Sequence, residues 1–202
     1  MIIIQQLKQT SYTYEQVLSL IKDSHSENKK KGINYSVFSL SLEDFINKTK
    51  GAIILIAHDP EKQILLGTQS LFIYGNDCVK WAYSDFLAIS NIAKRKGIGT
   101  MLINEEKKLC EAYDCEYMIA NTSIKSKESI KWHLKNGYKI VGYQGASVYT
   151  YLFRMQFKHP SKYDNDIYIF FNKIFSYIYM ILVWNPNGYN RLWVKIIKRI
   201  FF

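Results

Sequence analysis

The chain opens on an apolar run, Met1-Ile2-Ile3-Ile4, that reads as a first strand. It has neither the basic flank nor the apolar length of a signal peptide. Thr13-Tyr14-Glu15-Gln16 then has capping-box spacing, and Val17, Leu18, Leu20 and Ile21 supply the apolar face of a helix. Residues Ser24 to Gly32 are polar and basic and read as a loop or a frayed helix end. Ser41-Leu42-Glu43-Asp44 forms a second N-cap, opening a short helix through Ile46. Two β-runs follow, Ala52 to His58 and Ile64 to Tyr74, separated by the turn residues Asp59-Pro60-Glu61-Lys62. Gly75-Asn76-Asp77 makes another tight turn into Cys78 to Ser90, so three neighbouring antiparallel strands are predicted.

From Ile98 to Tyr113 the period changes. Ile98, Met101, Leu102, Leu109 and Ala112 share one helical face, and Asn104, Glu105, Glu106, Lys107 and Lys108 are expected elsewhere on the surface. Glu116 to Asn121 reads as a buried strand and Ser126 to Asn136 as a helix, with Gly137 placed to cap it in the left-handed conformation. Strands are expected at Lys139 to Tyr143 and Tyr149 to Lys158. The order is strand, two helices, three strands, helix, strand, helix, two strands: an α/β chain.

Composition changes at His159-Pro160-Ser161. Residues 1–158 are therefore read as one domain and 159–202 as an extension, consistent with 202 residues in all. The extension holds an aromatic run from Ile167 to Trp184, a turn at Asn185-Pro186-Asn187-Gly188 and a basic amphipathic ending. A hydrophobic share of 48% is that of a folded protein, and an aromatic share of 15% favours aromatic surfaces. The formal charge of +10 favours anionic partners: phosphorylated cofactors, nucleic acid or acidic lipid. Cys78, Cys110 and Cys115 form no CxxC pair, and His25, His58, His133 and His159 are scattered. Reduced thiols in a cytoplasmic protein, with no metal site, are the expectation.

One stretch carries distinctive chemistry. Lys94-Arg95-Lys96-Gly97-Ile98-Gly99-Thr100 joins the strand-like run ending at Ser90 to the helix beginning near Ile98. Glycines allow close backbone approach, a helix start offers unpaired N–H groups and a positive dipole end, and three cations surround them. Such a turn suits a pyrophosphate, the alternative being a solvated cationic turn.

In this order of elements, and most sharply from Asp85 to Tyr138, the chain resembles the GNAT superfamily of acetyl-CoA-dependent N-acyltransferases. Leu87-Ala88-Ile89 fits the family's strand, and Lys94-x-x-Gly97-x-Gly99 fits its loop, with Lys in place of the usual Arg or Gln. The resemblance implies a mixed central sheet of about six or seven strands flanked by about four helices, plus the C-terminal helical extension. It implies acetyl-CoA as co-substrate, held by the strand Leu87, Ala88 and Ile89 and by the loop Lys94, Arg95, Lys96, Gly97, Ile98, Gly99 and Thr100. Read back from Gly137-Tyr138, Ser126 stands where an Asn usually meets the pantetheine arm, and Asn121 is another partner for that arm. His133 stands where a Tyr often protonates the departing thiolate.

The implied reaction moves an acetyl group directly to a primary amine: a small amine, an amino sugar or a peptide amine. An amine with pKa near 10.4 must first lose a proton, at a cost of about 4–5 kcal/mol at pH 7, so a base is needed. Asp85 stands where related enzymes often carry a strand glutamate, and strict alternation would put it on one face with Leu87 and Ile89. The alternative for Asp85 is a strand carboxylate paired with a cation; for His133 it is a packed or surface histidine. Tyr138 and Tyr143 are expected as core or cleft-wall aromatics, and Tyr83 as a pocket or core residue.

Ile167 to Trp184 would reach roughly 27 Å as a helix, short of a hydrocarbon core of about 30 Å, and it contains Asn172 and Lys173. Beyond it, Leu192, Trp193, Ile196, Ile197 and Ile200 share one helical face, with Arg191, Lys195, Lys198 and Arg199 largely opposite. Peripheral contact of residues 167–202 with the inner face of a membrane is expected, against packing on the domain, a homodimer contact or a span. Two other functions stay open: a nucleic-acid-associated acetyltransferase acting on charged tRNA, and an inactive CoA-binding adaptor.

Overall fold

The computed structural model describes residues 1–76, 79–145, 149–158 and 165–183. Cys78, the turn at Asn185–Gly188 and the basic amphipathic ending therefore lie outside the described residues. Seven strands form a mixed sheet in the order β1-β2-β3-β4-β5-β7-β6. They are β1 Ile3–Gln6, β2 Ile53–Asp59, β3 Ile64–Gly75, β4 Lys80–Ile89, β5 Tyr117–Ser123, β6 Lys139–Gly145 and β7 Tyr149–Gln156. Strands β1 to β4 pair antiparallel in succession, whereas β4 and β5 run parallel. The three neighbouring antiparallel strands of the sequence reading are β2, β3 and β4.

Helices α1 (Tyr14–Ser24), α3 (Leu42–Lys48), α4 (Ile98–Ala112) and α5 (Lys127–Lys135) match the four expected ones. A short α2, Ser26–Lys30, occupies the stretch read as a loop or frayed end. Local chemistry explains the boundaries. The Thr13 hydroxyl accepts from the Gln16 N–H while the Gln16 side chain accepts from the Thr13 N–H, and Ser41 and Asp44 do the same for α3. At the end of α5, Gly137 takes φ +95° and the Tyr138 N–H reaches back to the His133 carbonyl, closing the helix.

Two compact units divide the chain. The first holds Met1–Ala120 and Met155–Lys158; the second holds Asn121–Arg154 and the chain from His159 onward. In the first, α1 and α3 bury Val17, Leu18, Ile21 and Phe45 against Ile54, Ile56 and Ala88 of the sheet. Helix α4 buries Ile98 and Leu102 in a separate cluster with Leu55, Ala57 and Leu66. Each fully buried side chain of this kind contributes about 1.5–3 kcal/mol.

The buried face of α4 is the expected one in part, since Ile98 and Leu102 are buried and Leu109 packs beside them. Ile98, Leu102, Ile103, Glu106 and Cys110 are buried, whereas Met101 and Ala112 are exposed. The inward stripe repeats every four residues from Ile98, and Glu106 lies on it rather than at the surface. Cys110 and Cys115 are buried free thiols.

In the second unit, α6 (Asp166–Val183) packs against β6. The Asn172 amide donates to the Val141 carbonyl at 2.6 Å, and the Ser176 hydroxyl accepts from the Tyr143 N–H at 3.0 Å. Gly142 makes that approach possible, since a Cβ there would stand 3.0 Å from both the Asn172 and Ser176 side chains. The helix expected within the aromatic run is thus present and fastened by its polar residues.

Candidate active site

The first unit brings one half of the expected site together along β4, the following loop and the start of α4. Strand β4 does not alternate evenly. Its pairing with β3 steps from Ser70–Asp85 to Thr68–Ala88, so Phe86 and Leu87 face a single partner residue. Phe86 accommodates this bulge with φ +54°, a left-handed conformation unusual for an aromatic residue. The consequence is a change of face. Ser84 points to α4, where its hydroxyl donates to Glu106, and Leu87 and Ile89 also pack on the α4 side. Asp85 points the other way, toward Lys48 of α3. The shared face expected for Asp85, Leu87 and Ile89 is therefore corrected: the bulge inserts one residue between them and inverts the alternation.

Asp85 sits half-buried at that bulge. Its Oδ1 accepts from the Phe86 N–H at 2.8 Å. Burial lifts its carboxyl to about 6, opposed by the Phe86 N–H, the Lys48 charge and a Tyr83 hydrogen bond. A carboxylate with that affinity for protons is mostly ionised at neutral pH yet basic enough to accept one. Tyr83 is thereby a partner of Asp85 as well as a neighbour of the Phe72 ring, 6.1 Å away.

His25, at the junction of α1 and α2, was not singled out by the sequence. Its ring bonds to the backbone of Leu87, and burial, aided by the Lys94 charge, lowers it to about 4. Nδ1 stands 3.4 Å from the Asn28 amide, and the ring leans on Tyr35 with centroids 5.1 Å apart. A neutral imidazole thus ties α1 to the strand that the sequence assigns to cofactor binding. Nothing in the basic stretch around it marked it, because its partner is 62 positions away in the chain.

The loop after β4 has the backbone its glycines suggested. Arg95 adopts φ +63° and Gly97 φ +80°, and a Cβ on Gly97 would meet nothing within 4 Å. The α4 hydrogen-bond ladder begins with the Met101 N–H on the Gly97 carbonyl at 3.0 Å. The N–H groups of Ile98, Gly99 and Thr100 precede that ladder, and no side chain caps them at Gly97. Lys94 pairs with Glu27 of α2 at 3.7 Å, both side chains being largely exposed. Screening makes that pair worth little to stability, but it links the loop to the same helix junction that carries His25.

The second unit carries Asn121, Ser126 and His133. The Asn121 amide donates to the Gln144 side chain at 3.5 Å. Ser126 precedes α5, its carbonyl accepting from the Ile130 N–H at 3.0 Å. His133 is 6% exposed. Its Nδ1 lies 2.8 Å from the Ser129 carbonyl, its ring stacks on Phe153 at 4.6 Å, and Tyr138 meets it edge-on at 5.2 Å. Burial lowers its pKa, opposed by the Ser129 bond. That is the setting of a packed aromatic-core histidine. Tyr138, 3% exposed, belongs to the same core, while Tyr143 stands half-buried between Tyr151 and Tyr177. Among the described residues no group of His, Cys, Asp and Glu is arranged to hold a metal ion.

Residues 14–138 match the model of the Acetyltransferase (GNAT) family. No curated protein matches this sequence. Among solved structures, the chain is similar to a PaiA N-acetyltransferase from Thermoplasma acidophilum in complex with coenzyme A. The two share 18% identity over 78% of this chain and 99% of that one, with a TM-score of 0.63. A GNAT-family acetyltransferase from Staphylococcus aureus Mu50 gives 15% identity over 78% and 100% of the two chains, at 0.63. A chain of the NatC complex bound to Gag peptide and CoA gives 15% over 78% and 99%, at 0.61.

Proposed function

Because the chain belongs to the GNAT family of acetyltransferases, we propose that it transfers the acetyl group of acetyl-CoA directly to a primary amine, with Asp85 as the base. The observation carrying this reading is the bulge of β4, which presents Asp85 with its carboxyl raised to about 6.

The loop fits a diphosphate. Left-handed Arg95 and Gly97 turn the backbone, Gly97 leaves open space where a side chain would stand, and the first N–H groups of α4 lie outside the helical ladder. Lys94, Arg95 and Lys96 supply the charge, so Lys94 to Thr100 would hold the diphosphate of CoA. The backbone of Leu87, Ala88 and Ile89 would align the arm. Bound there, the co-substrate supplies a thioester whose carbonyl carbon accepts the amine.

Asp85 removes a proton from the acceptor ammonium, and the freed lone pair forms the C–N bond as the C–S bond breaks. The nitrogen, left with one proton too many, gives it to the departing thiolate sulfur, and the Asp85 carboxyl returns its own proton to solvent. No covalent enzyme intermediate is needed. His133 is assigned a packing role, since its Nδ1 is engaged by its own helix and its ring by Phe153.

The acceptor class is a primary amine on a small molecule, sugar or peptide. Incubating the full chain with acetyl-CoA and pooled amines, then identifying acetylated products by mass, tests the proposal. Products that form equally with Asp85→Asn would remove Asp85 from the chemistry.

A further inference from the structure

Helix α6 is amphipathic in the reverse sense. Its inward stripe is Ile169, Asn172, Lys173, Ser176 and Met180, and within it the polar groups of Asn172 and Ser176 hold the backbone of β6. Its outward surface is aromatic and aliphatic: Ile167 is 65% exposed, Phe170 59%, Phe171 51%, Phe175 65% and Tyr179 53%. A water-facing helix has the opposite arrangement, polar outside and apolar inside. A contiguous apolar face of this kind on a folded chain marks a docking surface.

We propose that this face of α6 docks on an anionic phospholipid surface, the helix lying in the plane of the interface. Two observations select lipid over a protein occupant, and a third selects the interface over a span. First, the outward residues mix Phe and Ile with Tyr168, Tyr177 and Tyr179, side chains with an apolar body and a polar tip that suit the headgroup boundary. Second, the chain continues from α6 into residues 184–202, which contain Arg191, Lys195, Lys198 and Arg199 and no Asp or Glu. Cations that follow an apolar helix in the sequence are complementary to acidic headgroups. A second copy would instead bring two chains of formal charge +10 together. Third, no helix among the described residues is long and apolar enough to cross a membrane. With Asn172 and Ser176 committed to β6, α6 offers its apolar face to an interface rather than its whole circumference to a hydrocarbon core.

Docking is independent of acetyl transfer and is tested without it. Full-length protein is sedimented with vesicles of phosphatidylcholine alone and of phosphatidylcholine mixed with phosphatidylglycerol. Binding is expected only to the mixed vesicles and should weaken as salt rises. The variant Phe171→Ser/Phe175→Ser should lose roughly tenfold or more of that affinity. Both side chains are exposed, so its thermal unfolding should match wild type. Lys195→Glu/Lys198→Glu, which leaves the apolar face intact, should also weaken binding to the mixed vesicles. The proposal is overturned if mixed vesicles do not retain the protein, or if the Phe double variant binds them as tightly as wild type. It is also overturned if the protein dimerises in solution through this face, with dimers lost in the Phe double variant and no affinity for lipid.

Discussion

The Ser84 hydroxyl donates to Glu106 across 3.0 Å in the buried layer between β4 and α4, and it accepts from the Gln69 amide at 2.6 Å. Ser84 and Glu106 are both buried, and Oε1 of Glu106 has no hydrogen-bond partner among the described residues. Burial, which favours the protonated form, raises the Glu106 carboxyl well above its usual range, opposed by the Ser84 hydrogen bond.

Stability at alkaline pH should reflect that. In the unfolded chain Glu106 loses its proton near pH 4.5, whereas the folded protein holds it to a much higher pH. Its contribution is complete below pH 4.5 and declines as pH rises toward the folded-state value. Glu106→Gln keeps an acceptor for Ser84 but has no proton to lose. Chemical denaturation should find the variant gaining on wild type as pH is raised from 5 to 9. Parallel curves would show that Glu106 is ionised in the folded state.

Asp85→Asn should lower kcat by about 10²–10⁴-fold, the usual span for a positioned general base, with the fold retained. In the wild type, kcat/KM should rise with pH through about 6 as Asp85 ionises. The variant should lack that limb. A variant that keeps it would assign the titration to another group.

Gly97→Val should weaken CoA binding measured by calorimetry. A β-branched residue at φ +80° is strained and would project into the open space beside the loop. Loss of a single charge-assisted hydrogen bond corresponds to about 1.5–3 kcal/mol, so an affinity loss of tenfold or more is expected. Gly32→Val, also at positive φ but in a different turn, should leave CoA affinity unchanged.

His25→Ala should cost about 1–3 kcal/mol by leaving the half-buried Leu87 backbone without this partner, and His25→Gln less, since its amide can still donate. The pH signature is distinctive. Unfolded chains protonate His25 near pH 6.5 but the folded protein only near 4. Stability from the neutral ring is therefore lost as pH falls through that window. His25→Ala should flatten the acid limb of a stability–pH curve, whereas an unchanged limb would mean that the imidazole is free to protonate in the fold.

What could be seen in the sequence was local. The capping box at Thr13, the N-cap at Ser41 and the left-handed Gly137 cap depend on neighbours within four residues, and all are present. Contacts made across the fold were not legible. Glu106 looked like a surface residue because its character is polar, although its spacing from Ile98 and Leu102 is that of the buried stripe. The bulge at Phe86 broke the alternation used to orient Asp85, and no residue type announced it. His25 was hidden in a basic stretch, since its Leu87 partner lies on a strand far along the chain. In the aromatic run of α6, composition alone did not reveal that Asn172 and Ser176 face the protein.

The most direct test follows acetyl-labelled acetyl-CoA into amine products as a function of pH, with wild type and Asp85→Asn side by side. Amide formation that climbs through about pH 6 and falls by two or more orders of magnitude in the variant is the expected result. Label that remains in the thioester with every amine, although CoA still binds the chain, would contradict the account.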